Sequence, residues 1–265
     1  MTLKYVFFDF DRTLTPQDTT TLLIRLIHES YPPEEKTVFE QLWSIANTNY
    51  STQIGEAMLR FFERERTKQH SREETLSLLS DTLKEVELSS ARSIAPYLKY
   101  VTKSKLRKAG AKIFIPHREI LKQLASKYFL FIISLNWSRD IILGALKDIV
   151  QPERILCNDL HFNSDGVAIG GLELKIASPE DKLKEIKKIV ENEEYLFVGD
   201  GIHDIWCLVN AKYGCIINPQ EILFSVLYHL GYNDDDIKIG LHKQPGLYMV
   251  HSIEEVAKFL YDLIS

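Results

Sequence analysis

Cysteine is scarce in this chain: Cys157, Cys207 and Cys215 are the only three, and no two form a CxxC pair. An odd, widely spaced set supplies neither a disulfide framework nor a zinc site, and it fits a reducing compartment. No apolar run approaches the roughly twenty residues that span a bilayer. Nor does the amino terminus carry a basic segment ahead of a long apolar core, so neither a membrane partner nor a secretory signal is expected. Basic charge is not in excess: 32 Lys and Arg stand against 37 Asp and Glu, a net charge of −5. That balance argues against a general nucleic-acid binder. Internal repeats and low-complexity tracts are also missing. The absences leave a soluble protein expected in the cytoplasm, with the nucleus also open and the oligomeric state not legible.

What is present is ordinary globular material, 265 residues with 45% hydrophobic and 26% charged side chains, enough for one large domain or two unequal ones. The most informative stretch comes first. Tyr5, Val6, Phe7 and Phe8 form a short apolar run suited to a strand buried on both faces. It ends in Asp9-Phe10-Asp11-Arg12-Thr13, two carboxylates two residues apart. Like charges at the end of an apolar strand repel and lose solvation unless a cation, donors or a shared proton compensates. A divalent cation held by oxygen ligands, with one carboxylate free for chemistry, would satisfy them. A strand that merely ends at an Asp-rich turn is the other reading, and these five residues alone leave both open.

From about residue 17 to 100 the periodicity is helical, with helices expected over 19–30, 34–48, 51–66, 71–86 and 90–101. Breaks are expected at Tyr31-Pro32-Pro33, Asn47-Thr48-Asn49 and Ser89-Ser90, and Ser71 with Glu74 has capping-box spacing. No strand is expected there. The basic run from Lys103 to Lys108 reads as a solvated helix end or linker. Beyond it strands and helices alternate: helices over 116–127, 139–149, 179–192, 203–212, 220–230 and 253–263, and strands at 128–135, 154–158, 195–198, 215–217 and 247–250. Residues 160–171 read as a hairpin whose Asn163-Ser164-Asp165-Gly166 turn demands a positive φ. Asp234-Asp235-Asp236 reads as an exposed acidic loop. The fold expected is α/β, a Rossmann-like doubly wound parallel sheet over 1–16 and 103–265, with an all-helical cap, 17–102, inserted after the first strand.

In open parallel sheets, sites lie at the carboxyl ends of the strands. Asp9 and Asp11 follow the first strand, Ser134 and Asn136 the second, and Gly199-Asp200-Gly201-Ile202-His203-Asp204 a third. Carboxylates and hydroxyls gathered at one edge of an apolar sheet are hard to explain as packing.

These segments resemble the motifs of the haloacid dehalogenase superfamily of aspartate-nucleophile phosphohydrolases. Asp9 to Thr15 looks like its DxDxT motif, Ser134 like the Ser/Thr of the second, and Lys182 like the lysine preceding the fourth. Residues 199–204 look like GDGxxD, and the helical insertion is similar to the cap of the phosphoserine phosphatase-like branch. The resemblance implies a phosphomonoesterase in which Asp9 attacks phosphorus and Asp11 is the acid–base. It further implies Mg²⁺ held by Asp9, the Asp11 backbone carbonyl and Asp200, with Asp204 near the ion. Ser134, the backbone N–H groups of Leu135 and Asn136, and Lys182 would bind a small phosphorylated metabolite's phosphoryl oxygens. A phosphotransferase or mutase, or an inactive binding module, are the alternatives. Lys175 and Lys184 compete with Lys182 for the lysine role. Thr13 is expected to hold the loop after Asp9, and His203 to be a turn or cap residue. Trp137 and Trp206 are expected to be core or wall aromatics. Departures bear on specificity: Leu135-Asn136-Trp137 replaces the glycines usual after the second motif, and Asp18 is either a specificity residue or a helix N-cap.

Overall fold

The computed structural model describes residues 3–67 and 70–264. Strand β1 (Tyr5–Phe8) is followed by helices α1 (Thr20–Ser30), α2 (Pro33–Thr67) and α3 (Arg72–Ile94), strand β2 (Lys99–Thr102), and helices α4 (Lys103–Gly110) and α5 (Arg118–Lys127). Alternation then sets in with β3 (Phe129–Ile133), α6 (Arg139–Ala145), β4 (Ile155–Leu156), and the hairpin β5 (Asp159–Phe162) and β6 (Val167–Glu173). Next come α7 (Pro179–Val190), β7 (Tyr195–Gly199), α8 (Ile205–Asn210), β8 (Tyr213–Ile216), α9 (Glu221–His229), β9 (Ile237–Ile239), β10 (Gly246–Met249) and α10 (Ile253–Ile264).

Seven strands form one parallel sheet in the order β4-β3-β1-β7-β8-β10-β9. The chain first builds outward from β1 on one side and then returns to build on the other, so strand order reverses at β1. Period-two alternation explains why β1 is apolar throughout. Val6 and Phe8 enter one core layer, with Leu121 and Leu124 of α5 and Leu260 of α10. Phe7 enters the opposite layer, with Ile186 of α7, Leu208 of α8 and Val226 of α9. All three are fully buried, each side chain worth about 1.5–3 kcal/mol of transfer free energy. The second layer also takes in Met58 and Phe61 of α2 and Leu76, Leu79 and Leu83 of α3, which seat those helices against the sheet's helical cover.

The segment between β1 and β3 differs from expectation in three places. α2 runs unbroken through Asn47-Thr48-Asn49, because Asn and Thr weaken a helix by only about 0.7 kcal/mol or less each and flanking contacts outweigh that. α3 starts with the expected box, Ser71 Oγ accepting from Glu74 N–H and Glu74 Oε2 from Ser71 N–H, but it continues past Ser89-Ser90 to Ile94. The last residues of the segment are a strand. β2 pairs antiparallel with β6, so β2, β6 and β5 form a separate three-stranded sheet. Four residues paired to a partner so distant along the chain leave no local period to read. The basic run is helix α4, capped by the Thr102 hydroxyl. Gly110 of α4 and Gly144 of α6 let the two helix backbones touch: a Cβ at either would lie 2.2 Å from a carbonyl oxygen of the other helix. The Asn163–Gly166 turn has its positive φ at Gly166, 73°. Edge strand β9, just after the exposed acidic residues, was not expected. Among the described residues no helix is long and apolar enough to cross a membrane.

Candidate active site

Register sets the height of the site. Phe8 pairs with Ile132 and with Val198, so three adjacent strands end level with one another. Asp9 directly follows β1, Ser134 follows β3 and Asp200 follows β7. Asp9 N–H still donates to the Val198 carbonyl at 2.9 Å, and Ser134 N–H to that of Leu156 at 2.9 Å, which fixes both backbones to the sheet. Lys182 is brought in by α7, whose N-cap Ser178 accepts from Asp181 N–H.

Lys182 Nζ donates to Asp9 Oδ1 at 2.6 Å and to Asp204 Oδ1 at 2.7 Å, although its position in the chain is 173 residues from Asp9. The other oxygen of Asp204 accepts from the backbone N–H groups of Asp200 and Gly201, both at 3.1 Å, closing the loop after β7. Gly199 is required there, since a Cβ would fall 2.6 Å from the Asp204 carboxylate. Asp200 Oδ2 accepts from Gln220 Nε2 at 2.9 Å. Lys175 and Lys184 sit half-exposed in surface pairs with Glu173 and Glu180.

Carboxylate oxygens of Asp9, Asp200 and Asp204 lie within 4.8 Å of one another, and all three residues are buried. Burial lifts Asp9 well above the usual carboxylate range, Lys182 opposing and the charges of Asp204 and Asp200 adding to the rise. Burial and the Asp204 charge push Asp200 up to about 6. For Lys182 burial disfavours the ammonium, but Asp204 and Asp9 outweigh it and hold the group charged. When all three carboxylates are ionised, the one ammonium leaves two negative charges in excess at a buried site. Hard oxygen donors with that excess fit a divalent cation.

The Asp11 side chain points away from this cluster. Its Oδ1 accepts from Thr19 N–H at 2.7 Å and its Oδ2 from Asn136 Nδ2 at 2.8 Å. Burial and the nearby Asp18 charge raise it to about 6 even against those donors. Asn136 also donates to the Thr19 hydroxyl, tying the strand-end loops of β1 and β3 together. Its own backbone N–H donates to Ser134 Oγ at 3.2 Å. Asp18 is exposed and accepts from Thr20 N–H at 2.7 Å, but the N-cap position of α1 is held by Thr19, so Asp18 stands one residue ahead of the cap it was offered as.

The loop after Asp9 is held differently from expectation. Thr13 Oγ1 is buried with no hydrogen-bond partner among the described residues. Thr15 does that work, its hydroxyl accepting from Arg12 N–H and donating to the Gln17 carbonyl at 2.7 Å. Trp206 lies in the second core layer, Nε1 donating to Ser80 Oγ of α3 at 2.7 Å. His203 Nε2 lies 3.3 Å from Glu87 Oε1 of α3. Thr19, Gln220 and Glu87 were not singled out from the sequence. Thr19 and Gln220 read there only as helix starts, and Glu87 fell in the gap between the helices expected over 71–86 and 90–101, which α3 closes.

A cavity of about 910 Å³ opens over this edge. Asp9, Asp11, Ser134, Lys182 and Asp200 line it, with Leu135 and Trp137 beside them and residues of α2 and α3 above. The site can therefore present a carboxylate nucleophile, a second carboxyl group poised to carry a proton, and an ammonium to one enclosed ligand.

Comparison with known proteins bears on the fold and the family. The chain is 23% identical over 257 residues to the Bifunctional TH2 protein, mitochondrial, of Arabidopsis thaliana, an alignment covering 85% of this chain but only 41% of that protein. The chain thus spans about two fifths of that relative's length. Substrate-bound phosphoserine phosphatase has the same fold with a TM-score of 0.56 at 18% identity, covering 98% of this chain and 99% of that one. A phosphoserine phosphohydrolase-like protein from Francisella tularensis gives 0.52 at 18%, covering 97% and 99%. The sequence pattern of the haloacid dehalogenase-like hydrolases matches residues 6–208. That is most of the chain, and it includes the strand-end segments described above: the protein belongs to the haloacid dehalogenase-like hydrolase family.

Proposed function

We propose that this protein is a Mg²⁺-dependent phosphomonoesterase that transfers a phosphoryl group from a small metabolite to Asp9 and then to water. The observation that carries the reading is the meeting of the Asp9, Asp200 and Asp204 carboxylates with the Lys182 ammonium at the floor of one cavity.

In the first step an Asp9 oxygen attacks phosphorus, the bond from phosphorus to the leaving oxygen breaks, and Asp11 gives that oxygen its proton. A carboxyl group raised to about 6 suits this role near neutral pH. In the second step Asp11, now a carboxylate, takes a proton from water as the water oxygen attacks phosphorus. The Asp9–phosphorus bond breaks and both carboxyl groups return to their starting states. Ser134 Oγ and the Lys182 ammonium bind the phosphoryl oxygens and stabilise the charge that grows on them. Asn136 and Thr19 orient Asp11, and Gln220 orients Asp200. Asp9 and Asp200, with Asp204 beside them and the Asp11 carbonyl, would hold Mg²⁺, which when bound neutralises charge on the phosphoryl group. Helices α1 to α3 act as a cap that keeps bulk water from the acyl phosphate.

The test is phosphate release from a panel of phosphorylated metabolites with Mg²⁺ and with chelator, run alongside Asp9→Asn. Turnover that needs both Mg²⁺ and Asp9 is the expected result. Turnover that survives Asp9→Asn overturns the nucleophile, and in heavy-oxygen water the label must appear in the released phosphate.

A further inference from the structure

The phosphoryl-binding floor accounts for only part of the cavity, whose volume is near the upper end of the roughly 300–1,000 Å³ typical of sites for drug-sized ligands. The remainder lies under α2 and α3, and its walls are aromatic. Trp43, Tyr50 and Phe62 of α2 and Trp137 of the loop after β3 all line it, and each is only partly covered by other side chains. Aromatic faces left open inside a cavity are stacking surfaces, and they attract cations as well as rings.

One carboxylate stands among these walls. The Glu87 side chain is 13% exposed. Its Oε1 accepts from the Tyr50 hydroxyl at 2.8 Å and lies 3.3 Å from His203 Nε2. No hydrogen bond or ion pair among the described residues engages Oε2. Burial and the Glu87 charge push the Tyr50 phenol upward, so it stays a neutral donor. Asp18 adds a second acidic group to the lining. Arg12 and Lys182 are the arginine and lysine side chains of the lining, Lys182 being committed to Asp9 and Asp204, and the His203 ring, cationic only when protonated, lies beside Glu87.

We infer that the leaving group this cavity accepts is a flat ring system bearing positive charge, with Glu87 as the residue that selects the charge. The inference rests on the phosphomonoesterase reading for its phosphate end and on the cap walls for the rest. The ring lies against Trp43 and Trp137, and the cationic or N–H donor edge faces the open oxygen of Glu87. A serine-sized alcohol leaves these walls unfilled.

A charge series of benzyl phosphates tests it: para-(aminomethyl)benzyl, unsubstituted benzyl and para-carboxybenzyl phosphate, with O-phosphoserine as the small comparison. In the wild-type protein with Mg²⁺, kcat/KM should favour the cationic ester over the neutral one by roughly tenfold, with the anionic ester slowest. Glu87→Gln should erase the cationic advantage, read as the ratio of kcat/KM for the cationic over the neutral ester falling to about one. Equal kcat/KM across the three charges, or a preference for O-phosphoserine, overturns the inference while the phosphatase reading stands. Should no ester turn over, that reading fails instead, and binding decides the leaving group separately. Phosphate-free para-(aminomethyl)benzyl alcohol should quench tryptophan fluorescence saturably, and more weakly in Glu87→Gln. Absence of saturable quenching overturns the inference.

Discussion

Replacing Lys182 by methionine keeps most of the buried side chain and deletes its charge, which isolates the ion pairs at the floor of the cavity. In the intact chain the ammonium is 2.6 Å from Asp9 and 2.7 Å from Asp204, and it is 1% exposed. At an effective dielectric of about 20, each contact is worth about 6 kcal/mol of Coulomb attraction, against several kcal/mol to desolvate the ammonium. The expected net loss is about 3–5 kcal/mol, because Lys182→Met leaves three buried carboxylates facing one another. Both protonation and a divalent cation relieve that repulsion. Urea unfolding with chelator at about pH 7.5 should show the full deficit, and it should shrink at about pH 5 or on adding Mg²⁺. Activity should fall about a hundredfold to a thousandfold, as for other lost charge-stabilising donors. A deficit of the same size at both pH values, indifferent to Mg²⁺, would refute the reasoning and mark the loss as one of packing.

Asp9→Asn should abolish turnover and yet raise the stability of the metal-free protein near neutral pH. The folded state holds the Asp9 pKa well above its ordinary value and so disfavours its charge, and thermal unfolding in chelator reads the effect. The same sign governs the pH dependence of the metal-free chain. Asp200 and Asp159 are raised to about 6 by burial and by neighbouring carboxylates, so between about pH 4 and about pH 6 the folded state binds the extra protons. Stability should therefore fall as pH rises through that window, and an unfolding midpoint that rises with pH there would contradict it. Trp206→Phe removes the bonds to Ser80 and to the Leu76 carbonyl together with part of a buried ring, and should cost about 2 kcal/mol or more. Amide exchange should quicken in α3 while β1 stays protected, whereas unchanged exchange in α3 would show that these bonds do not tie the helix down.

Legibility followed the range of the interactions. The apolar run of β1, the Ser71 capping box and the Gly166 turn rest on contacts within four residues, and each was visible in the chain. The rule that sites collect at strand ends then singled out Asp9, Ser134 and Asp200 without any knowledge of which strands are neighbours. Where a local signal was weak, packing overrode it. Asn47-Thr48-Asn49 looked like a break, but α2 bridges it, with Phe39 and Ala46 in one core cluster and Met58 and Phe61 in another. Strands β2 and β9, of four and three residues, are too short to show a period and exist because remote partners pair with them. Exchanging Thr13 for Thr15 as the loop's anchor turned on side-chain direction, which spacing does not encode.

The linear order of residues determined that this is an α/β chain with carboxylates at the ends of buried strands, because hydrophobic period and turn chemistry act over a few residues. Only tertiary structure decided that Lys182, and neither Lys175 nor Lys184, meets Asp9 and Asp204, that Asn136 and Thr19 hold Asp11, and that Glu87 and the α2 aromatics overhang the cavity. Those contacts join residues 22 to 173 positions apart, or 8 for Thr19, and depend on strand register and helix packing that no short window contains.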